Sequence, residues 1–240
     1  MTDRALPLLE EGLSKLSLAG ENKTFPLLLR YMEEIELFNG AYGLVKVRDR
    51  RELVVKHILD SLAPINILQR ALGKRLPSDE SGNPLRIADV GSGAGLPGIP
   101  LAICMPNAEF TLIERMGRRA GFLRNTLAIL GLPNVRLEET EMEIHARAPS
   151  GMNAFDVVVF RAFKPLEQTL LRDLFKLLAP GGFLAAYKGR KESVEEEMAA
   201  LSLPSETIPP EVIPWEAFPV EVPFLEEERH LLVIRPRVSP

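Results

Sequence analysis

A glycine-rich run between Asp89 and Gly98 is the segment best suited to bind a small ligand. Alternating glycines allow the chain to turn tightly and allow a ligand to approach the backbone. The run follows an apolar segment that predicts a buried strand and precedes a predicted helix, so it should lie at the carboxyl end of that strand. We therefore predict a cofactor loop whose contacts include Asp89, Gly91, Gly93, Gly95 and Leu96.

Two cofactor classes fit this loop. The residues from Gly93 to Gly98 match the dinucleotide pattern G-x-G-x-x-G, and S-adenosylmethionine is the other candidate. Both classes further need an acid after the second strand to bind ribose hydroxyls. Glu114, nineteen residues beyond Gly95, supplies that acid. These two motifs therefore leave both a methyltransferase and a nucleotide-cofactor oxidoreductase open.

Alternating β and α segments follow from Arg86 onwards. Short apolar runs predict strands at 87–90, 110–113, 135–137, 155–160 and 182–187, and amphipathic runs predict helices at 117–130 and 166–178. A last pair of apolar segments, at 219–222 and 231–234, predicts two antiparallel strands. This alternation predicts an α/β protein with a mostly parallel seven-stranded sheet and helices on both faces.

The first eighty residues are predicted to be helical. Asp49 and Glu52 form a capping-box pattern that opens one of these helices. A polar stretch at 77–84 predicts a surface loop. We therefore expect an N-terminal helical extension at 1–80, packed on a catalytic domain at 81–240 to form one compact unit.

Composition limits the class of protein. A hydrophobic content of 46% supports a core, and no run of eighteen apolar residues predicts a membrane span. Cys104 is the only cysteine, which excludes an internal disulfide and fits a reducing cytoplasm. The N-terminus lacks the basic-then-apolar layout of a secretory signal. We expect a cytoplasmic monomer that uses no metal and binds no membrane.

Charge is distributed unevenly along the chain. The net charge of −4 argues weakly against a nucleic-acid partner. However, residues 44–75 hold eight Lys or Arg against three acids, and residues 115–124 hold four Arg and no acid. Eleven Glu and no Lys or Arg at 192–228 mask these basic segments in the total. Phosphate binding depends on local fields, so the basic segments are candidates for binding a nucleic acid, and a solvated surface is the alternative.

Several short sequence motifs occur one after another along the chain, from about Phe38 to Ile234. Together they resemble the 16S ribosomal RNA guanine-N7 methyltransferase family, RsmG, also called glucose-inhibited division protein B. The resemblance implies a Rossmann-like class I methyltransferase fold with an antiparallel last strand, and S-adenosyl-L-methionine as cofactor. It also implies methylation of N7 of guanine 527 in 16S ribosomal RNA of the small ribosomal subunit. The motifs lie at 57–62, 89–103, 117–124, 161–163, 188–189 and 228–231.

The resemblance also implies roles for individual residues. Gly91 and Leu96 fall on the family's cofactor loop. Glu141 and Met142 fall on the pair that flanks the adenine. Arg161 falls on the arginine that the family places beside cofactor and target.

Three positions depart from the family pattern. The run Gly43-Leu44-Val45 replaces an Asn-Leu-Thr run, which removes two polar side chains. Thr140 stands where the family has an arginine, and Glu114 stands where aspartate is common. These departures concern the contacts of the pocket more than the reaction.

The expected chemistry needs few catalytic groups. Guanine N7 has a free lone pair in the ring plane, so the reaction needs no general base, and none stands out in the sequence. Catalysis should come from alignment of the reactants. We predict that Arg161 contacts the cofactor carboxylate or guanine O6, and that Lys188 meets a phosphate. A strand-end salt bridge and a solvated lysine are the respective alternatives, and His57 and His230 are as readily structural as functional.

RNA binding is predicted for cations that should face outward. Alternative functions are a methyltransferase that acts on another RNA, a protein or a small molecule, and an RNA-binding assembly factor that has kept the fold. Only an RNA enzyme or an RNA-binding factor needs a basic surface. The predicted RNA-binding residues are Arg118, Arg119, Arg124, Lys46, Arg48 and Arg229.

Overall fold

A seven-stranded sheet forms the centre of the protein. The computed structural model describes residues 5–19, 23–73, 83–162, 165–201 and 213–236. The strand order across the sheet is β3-β2-β1-β4-β5-β7-β6. The strands are β1 (Arg86–Val90), β2 (Glu109–Ile113), β3 (Val135–Glu138), β4 (Phe155–Arg161), β5 (Leu178–Lys188), β6 (Trp215–Pro219) and β7 (His230–Ile234).

Strand directions follow the sequence-based prediction. β1 pairs in parallel with β2 and β4, and the ladder continues in parallel to β3 on one side and β5 on the other. β7 lies between β5 and β6 and is antiparallel to both. The predicted mostly parallel sheet with an antiparallel last strand is therefore confirmed.

One strand lies elsewhere than predicted. The segment at 219–222 was expected to be a strand, but β6 occupies Trp215–Pro219. The apolar alternation of Val220 and Val222 reflects burial of both side chains in the core from a connecting segment. The Val220 amide still donates to the Arg229 carbonyl at 2.8 Å, but the strand does not continue beyond it. Alternating burial in a connection gives the same sequence pattern as a strand, which explains the error.

Helices cover both faces of the sheet, as predicted. They are α1 (Ala5–Lys15), α2 (Thr24–Tyr42), α3 (Arg50–Leu53), α4 (Asp60–Leu62), α5 (Ile65–Leu72), α6 (Gly98–Cys104), α7 (Gly117–Leu130), α8 (Met142–His145), α9 (Gln168–Leu177) and α10 (Lys191–Leu201). Residues 77–82 of the loop predicted at 77–84, the domain boundary between residues 80 and 81, and Phe163 lie outside the described residues.

Side chains on the two faces of the sheet pack into two separate hydrophobic clusters. Val157 and Val159 of β4 pack in a cluster with side chains of α1, α2, α5, α6 and α7. Val158 and Phe160 pack on the other face with side chains of α8, α9 and α10. The first cluster joins the N-terminal helices to the sheet, so those helices and the strand ends are held in a fixed relation.

A π-helical segment, Val54–Leu59, connects α3 and α4. Asp49 precedes α3, and its carboxylate accepts a hydrogen bond from the Glu52 amide at 2.8 Å, as the capping-box pattern predicts. π-helical turns are rare and often occur at functional sites. This one carries Lys56 and His57, which face the cleft described below.

Candidate active site

The carboxyl ends of the parallel strands bring four predicted site residues to one edge of the sheet. Asp89 lies near the end of β1, Glu114 follows β2, and Arg161 and Lys188 end β4 and β5. Asp89 is in register with Val159, and Arg161 with Tyr187. In open α/β sheets this edge is where ligands bind.

Hydrogen bonds tie the glycine loop to its neighbours. The amides of Gly91 and Ser92 donate to the Ile113 carbonyl, at 2.9 and 3.3 Å. The Gly93 amide donates to Glu114 Oε2 at 2.9 Å, and the Met116 amide donates to Glu114 Oε1 at 2.8 Å. Glu114 therefore organises the loop and the start of α7 while it lies at the position predicted to bind ribose.

Glu114 retains the capacity to bind a ribose. Its side chain is buried, and each oxygen accepts one backbone hydrogen bond. A carboxylate oxygen has two lone pairs, so each oxygen can accept a second donor such as a ribose hydroxyl. The carboxylate therefore fits a nucleoside without loss of the bonds that shape the loop.

Three loop glycines adopt positive φ, at 67° for Gly91, 60° for Gly93 and 91° for Gly95. A methyl group added at Gly98 would lie 2.5 Å from Leu112 Cδ2 and 2.7 Å from Asp89 Oδ2. At Gly93 the nearest heavy atom would be the Gly91 carbonyl oxygen, 3.8 Å away. Gly98 is therefore required for packing, whereas Gly93 faces open space that a ligand can fill.

Asp89 is a buried carboxyl group beneath the loop. Its Oδ2 accepts from the Gly98 amide at 2.9 Å, whereas its buried Oδ1 has no partner among the described residues. Burial raises the pKa of Asp89 from its ordinary value of 3.8 to about 7, against opposing effects of the Gly98 amide and Arg161. The group thus changes protonation state near neutral pH.

An Asp89→Asn variant should show the consequence for stability. Between about pH 4 and pH 7 the folded wild type keeps a proton that the unfolded chain has released, so the carboxyl group's contribution falls as pH rises. The rise in pKa corresponds to at most about 4 kcal/mol. We expect the unfolding free energy of the wild type, relative to the variant, to decrease from pH 4 to pH 8 in denaturant titrations. A difference that is independent of pH would contradict this assignment.

A cleft of about 410 Å³ opens where β4, β5 and β7 meet the π-helical segment. Arg161 and Lys188 line it, as do Lys46, Lys56 and Arg229, and Asp60 is the one acid among its described lining residues. A larger hollow of about 600 Å³ lies between α5 and β6, and none of the predicted site residues line it. The cleft, not the hollow, therefore has the charge needed to bind an anionic or electron-rich substrate.

Arg161 is held by one turn of helix. Its Nη1 donates to Asp60 Oδ2 at 3.1 Å and to the Lys56 carbonyl at 3.3 Å. Its Nη2 donates to His57 Nδ1 at 3.1 Å. Arg161 ends β4, which lies beside β1 in the sheet, so it is next to the strand that leads into the cofactor loop, and its positive charge opposes the rise in the pKa of Asp89. Arg161 therefore connects the cleft to the loop.

Lys188 forms a salt bridge with Glu197. Its Nζ lies 2.6 Å from Glu197 Oε2, and Glu197 Oε1 accepts from the Leu166 amide at 2.8 Å. Both side chains are largely buried. Lys188 thus contributes a charge to the cleft that is partly compensated by α10.

The predicted adenine-flanking pair has two different environments. Met142 is buried in the second hydrophobic cluster. Glu141 is exposed, and its carboxylate lies 3.8 Å from Arg115 Nη1. Met142 is the first residue of α8, and its packing in the core fixes its position. Glu141 is accessible to a ligand.

The predicted RNA-binding cations differ in how strongly they are paired. Arg118 is exposed and Arg119 half-buried on the first turn of α7. Arg124 pairs with Glu139 at 2.8 Å, and Arg48 with Glu52 at 2.7 Å. Lys46 is exposed at the cleft, and Arg229 Nε donates to Asp60 Oδ1 at 3.0 Å. Phosphates would have to compete with acids at Arg124, Arg48 and Arg229 but would meet less competition at Arg118.

Sequence reasoning missed two buried polar residues at the site. Asp60 bridges Arg161 and Arg229, and the Tyr31 hydroxyl donates to the Ala94 carbonyl in the loop at 2.7 Å. Both residues stand in apolar helical runs. A charged or hydroxyl group in such a run must find a buried partner, and that signal could have identified them.

No helix among the described residues is long and apolar enough to cross a membrane. No group of three or more His, Cys, Asp or Glu side chains within the described ranges is arranged to hold a metal ion.

Comparison with known sequences finds extensive similarity. The family model described as GidB, rRNA small subunit methyltransferase G, matches residues 24–213. The ribosomal RNA small subunit methyltransferase G of Treponema denticola is 40% identical, over 95% of this chain and 93% of that protein. The protein of the same name from Nitrosococcus oceani is 34% identical, over 96% of this chain and 94% of that protein.

Solved structures share the fold. A SAM dependent methyltransferase from Aquifex aeolicus superposes with a TM-score of 0.51 at 14% identity, over 85% of this chain and 97% of that chain. The human methyltransferase 10 domain containing protein gives a TM-score of 0.52 at 14% identity, over 87% and 95% of the two chains. At such identity the similarity concerns the fold alone, and it confirms the expected class I methyltransferase architecture.

Proposed function

The chain belongs to the GidB family of rRNA small subunit methyltransferases, and from this membership we propose that it methylates N7 of guanine 527 in 16S ribosomal RNA with S-adenosyl-L-methionine as methyl donor. The observation that carries the proposal is the adjacency of two features at one sheet edge. These are a glycine loop with room for a nucleoside and a cleft lined by five cations.

The loop residues fit the methyl donor. The open space at Gly93 and the Glu114 carboxylate suit an adenosyl group, and Gly91, Gly95 and Leu96 shape the turn. Glu141 and Met142 follow β3 at the same edge. When bound, S-adenosylmethionine supplies a methyl carbon on a positively charged sulfur. The role of this chain is then to hold the cofactor in one orientation and to bring the acceptor base to its methyl group.

The acceptor site needs orientation more than acid-base chemistry. Guanine N7 has a lone pair in the ring plane and loses no proton on methylation, so no general base is required. Arg161 donates its remaining N–H groups to guanine O6 or to the cofactor carboxylate. As a fixed planar cation, it orients the base in the ring plane. Alignment of two bound reactants can contribute several kcal/mol to catalysis.

The surrounding cations position the RNA. Lys188 and Lys46 line the cleft, and we expect them to meet phosphates near the target nucleotide. Arg118 and Arg119 extend the cationic surface along α7, with Arg124, Arg48 and Arg229 as further contacts. Phosphate contacts fix the register of the RNA, whereas its folded shape and an exposed base give selectivity. We infer that the protein acts in the cytoplasm as a monomer without a metal.

An Arg118→Ala, Arg119→Ala double variant should weaken binding of 16S RNA and reduce its salt dependence. Each lost phosphate contact should lower the slope of log affinity against log salt by about 0.7, or about 1.4 for two. Filter binding across a salt series measures the slope. Arg172→Ala is the matched control, because Arg172 is exposed on α9 on the other face of the sheet. An unchanged slope in the double variant would remove α7 from the RNA-binding surface.

Incubation with undermethylated small subunits and labelled cofactor tests the function itself. We expect one labelled position, guanine 527, with the label at N7. Label in another nucleotide, in protein or in a small molecule would assign a different acceptor, and binding of S-adenosylhomocysteine without any transfer would favour an assembly factor.

Two further measurements test the other parts of the proposal. Repeating the assay with a metal chelator tests whether the reaction needs a metal, and light scattering of the purified chain tests the monomeric state.

A further inference from the structure

Asp60 is a buried carboxylate shared by two arginines of the cleft. Its Oδ2 lies 3.1 Å from Arg161 Nη1, and its Oδ1 lies 3.0 Å from Arg229 Nε. The residue is only 7% exposed. A carboxylate in such a place is stable only when its charge is compensated, so each of the three groups restricts the other two.

His57 supplies a second anchor on the same turn. Its Nδ1 accepts from Arg161 Nη2 at 3.1 Å, and the ring also forms a hydrogen bond with the Lys46 backbone. Burial, with a further contribution from Arg161, lowers the pKa of His57 to about 4. The ring is therefore neutral at physiological pH, as it must be for Nδ1 to accept from a guanidinium.

The π-helical segment brings these acceptors together. The Lys56 carbonyl, His57 and Asp60 span five residues and all contact one guanidinium. Arginine has five N–H donors, of which these contacts use three. The other two have no acceptor within the part of the chain that the structure describes, so they remain for a ligand. An otherwise flexible side chain is thereby given one orientation.

We propose that Asp60 and His57 are positioning residues for methyl transfer, which act through Arg161 by fixing its guanidinium plane at the cleft. Neither residue needs to touch the RNA or the cofactor. The inference rests on the proposed function, because it takes methylation of RNA in this cleft as the reaction. It predicts that loss of either anchor lowers kcat and leaves cofactor affinity close to that of the wild type.

An Asp60→Asn variant tests the first anchor. The substitution keeps the size of the side chain but removes the charge and one acceptor oxygen. We expect kcat on undermethylated small subunits to fall by about fivefold through misalignment, with the Kd for S-adenosylhomocysteine within about twofold of wild type. Asp173→Asn is the matched control, because Asp173 pairs with Lys176 on α9 and lies outside the cleft. A kcat within twofold of wild type in Asp60→Asn would overturn the proposal.

A double-mutant cycle separates positioning from general structural support. If Asp60 acts through Arg161, then Asp60→Asn should have little further effect on kcat once Arg161 is alanine. An equal loss in both backgrounds would mean that Asp60 supports the fold or Arg229 alone, which also overturns the proposal.

Two His57 variants keep the proposal testable even if Asp60→Asn does not fold. His57→Ala should lower kcat, whereas His57→Asn should restore much of it, because its side-chain carbonyl can accept from Arg161 near the position of Nδ1. Equal activity of the two variants would count against the positioning role. The wild-type assay distinguishes the two hypotheses. If the wild type transfers no methyl group, the proposed function is refuted. If the wild type is active and the variants are unaffected, only the positioning role is refuted.

Discussion

Replacing Arg161 with alanine should lower kcat for methylation of small-subunit RNA by at least about tenfold, because the acceptor base loses its fixed cation. Arg161 donates to the Lys56 carbonyl and to His57 Nδ1 of the π-helical segment, and its charge opposes the rise in the pKa of Asp89 beneath the cofactor loop. Steady-state kinetics with labelled cofactor measure kcat and KM separately. The effect should fall mainly on kcat, since Arg161 is expected to act on alignment more than on RNA affinity.

The fold should tolerate this substitution. Asp60 keeps Arg229 as a partner after Arg161 is removed, so its charge is not left uncompensated. The loss of hydrogen bonds should cost about 1–3 kcal/mol, which unfolding titrations would detect. Arg161→Lys is an informative companion because it keeps the charge without the planar fork, and it should retain intermediate activity. Wild-type kcat in the alanine variant would remove the assigned role of Arg161.

Replacing Gly93 with alanine should lower the affinity for S-adenosylhomocysteine by at least about tenfold. The added methyl would meet no protein atom closer than 3.8 Å. A large loss of binding would therefore come from a clash between the methyl group and the bound ligand. Positive φ at this position should add roughly 1–2 kcal/mol of backbone strain. Calorimetric titration measures the affinity, and denaturant unfolding measures the strain.

Two other glycines make this result interpretable. Gly131 has the same φ of 60°, ends α7 and has no atom near the position of an added methyl. Gly131→Ala should therefore show similar strain with unchanged affinity. Gly98→Ala should instead destabilise the fold by about 1–3 kcal/mol, because its methyl would clash with Leu112 and Asp89. Equal affinity for the cofactor product in Gly93→Ala and Gly131→Ala would show that the ligand does not approach the backbone at Gly93.

Local patterns were sufficient to predict most of the sheet. The runs at 87–90, 110–113 and 155–160 are mostly apolar, with one polar residue in each (Asp89, Thr111 and Asp156), as is typical of parallel strands buried on both faces. The strand predicted at 219–222 was misplaced because β6 ends at Pro219, and Val220 and Val222 are buried in the connection that follows it. The π-helical segment at 54–59 was also not predicted, since its apolar spacing over six residues does not differ enough from that of an α-helix.

The sequence by itself determined the chemistry that is possible here: a glycine turn after a strand, an acid after the next strand, and cations at the ends of two more. Those features depend on residue types and on the rule that parallel strands end at one edge. Only the tertiary structure decided which groups meet. Asp60 lies about a hundred residues before Arg161 and well over a hundred before Arg229, at separations of 101 and 169. Contacts over such distances depend on how helices dock on the sheet, and a buried charge selects its partners only after that docking excludes water.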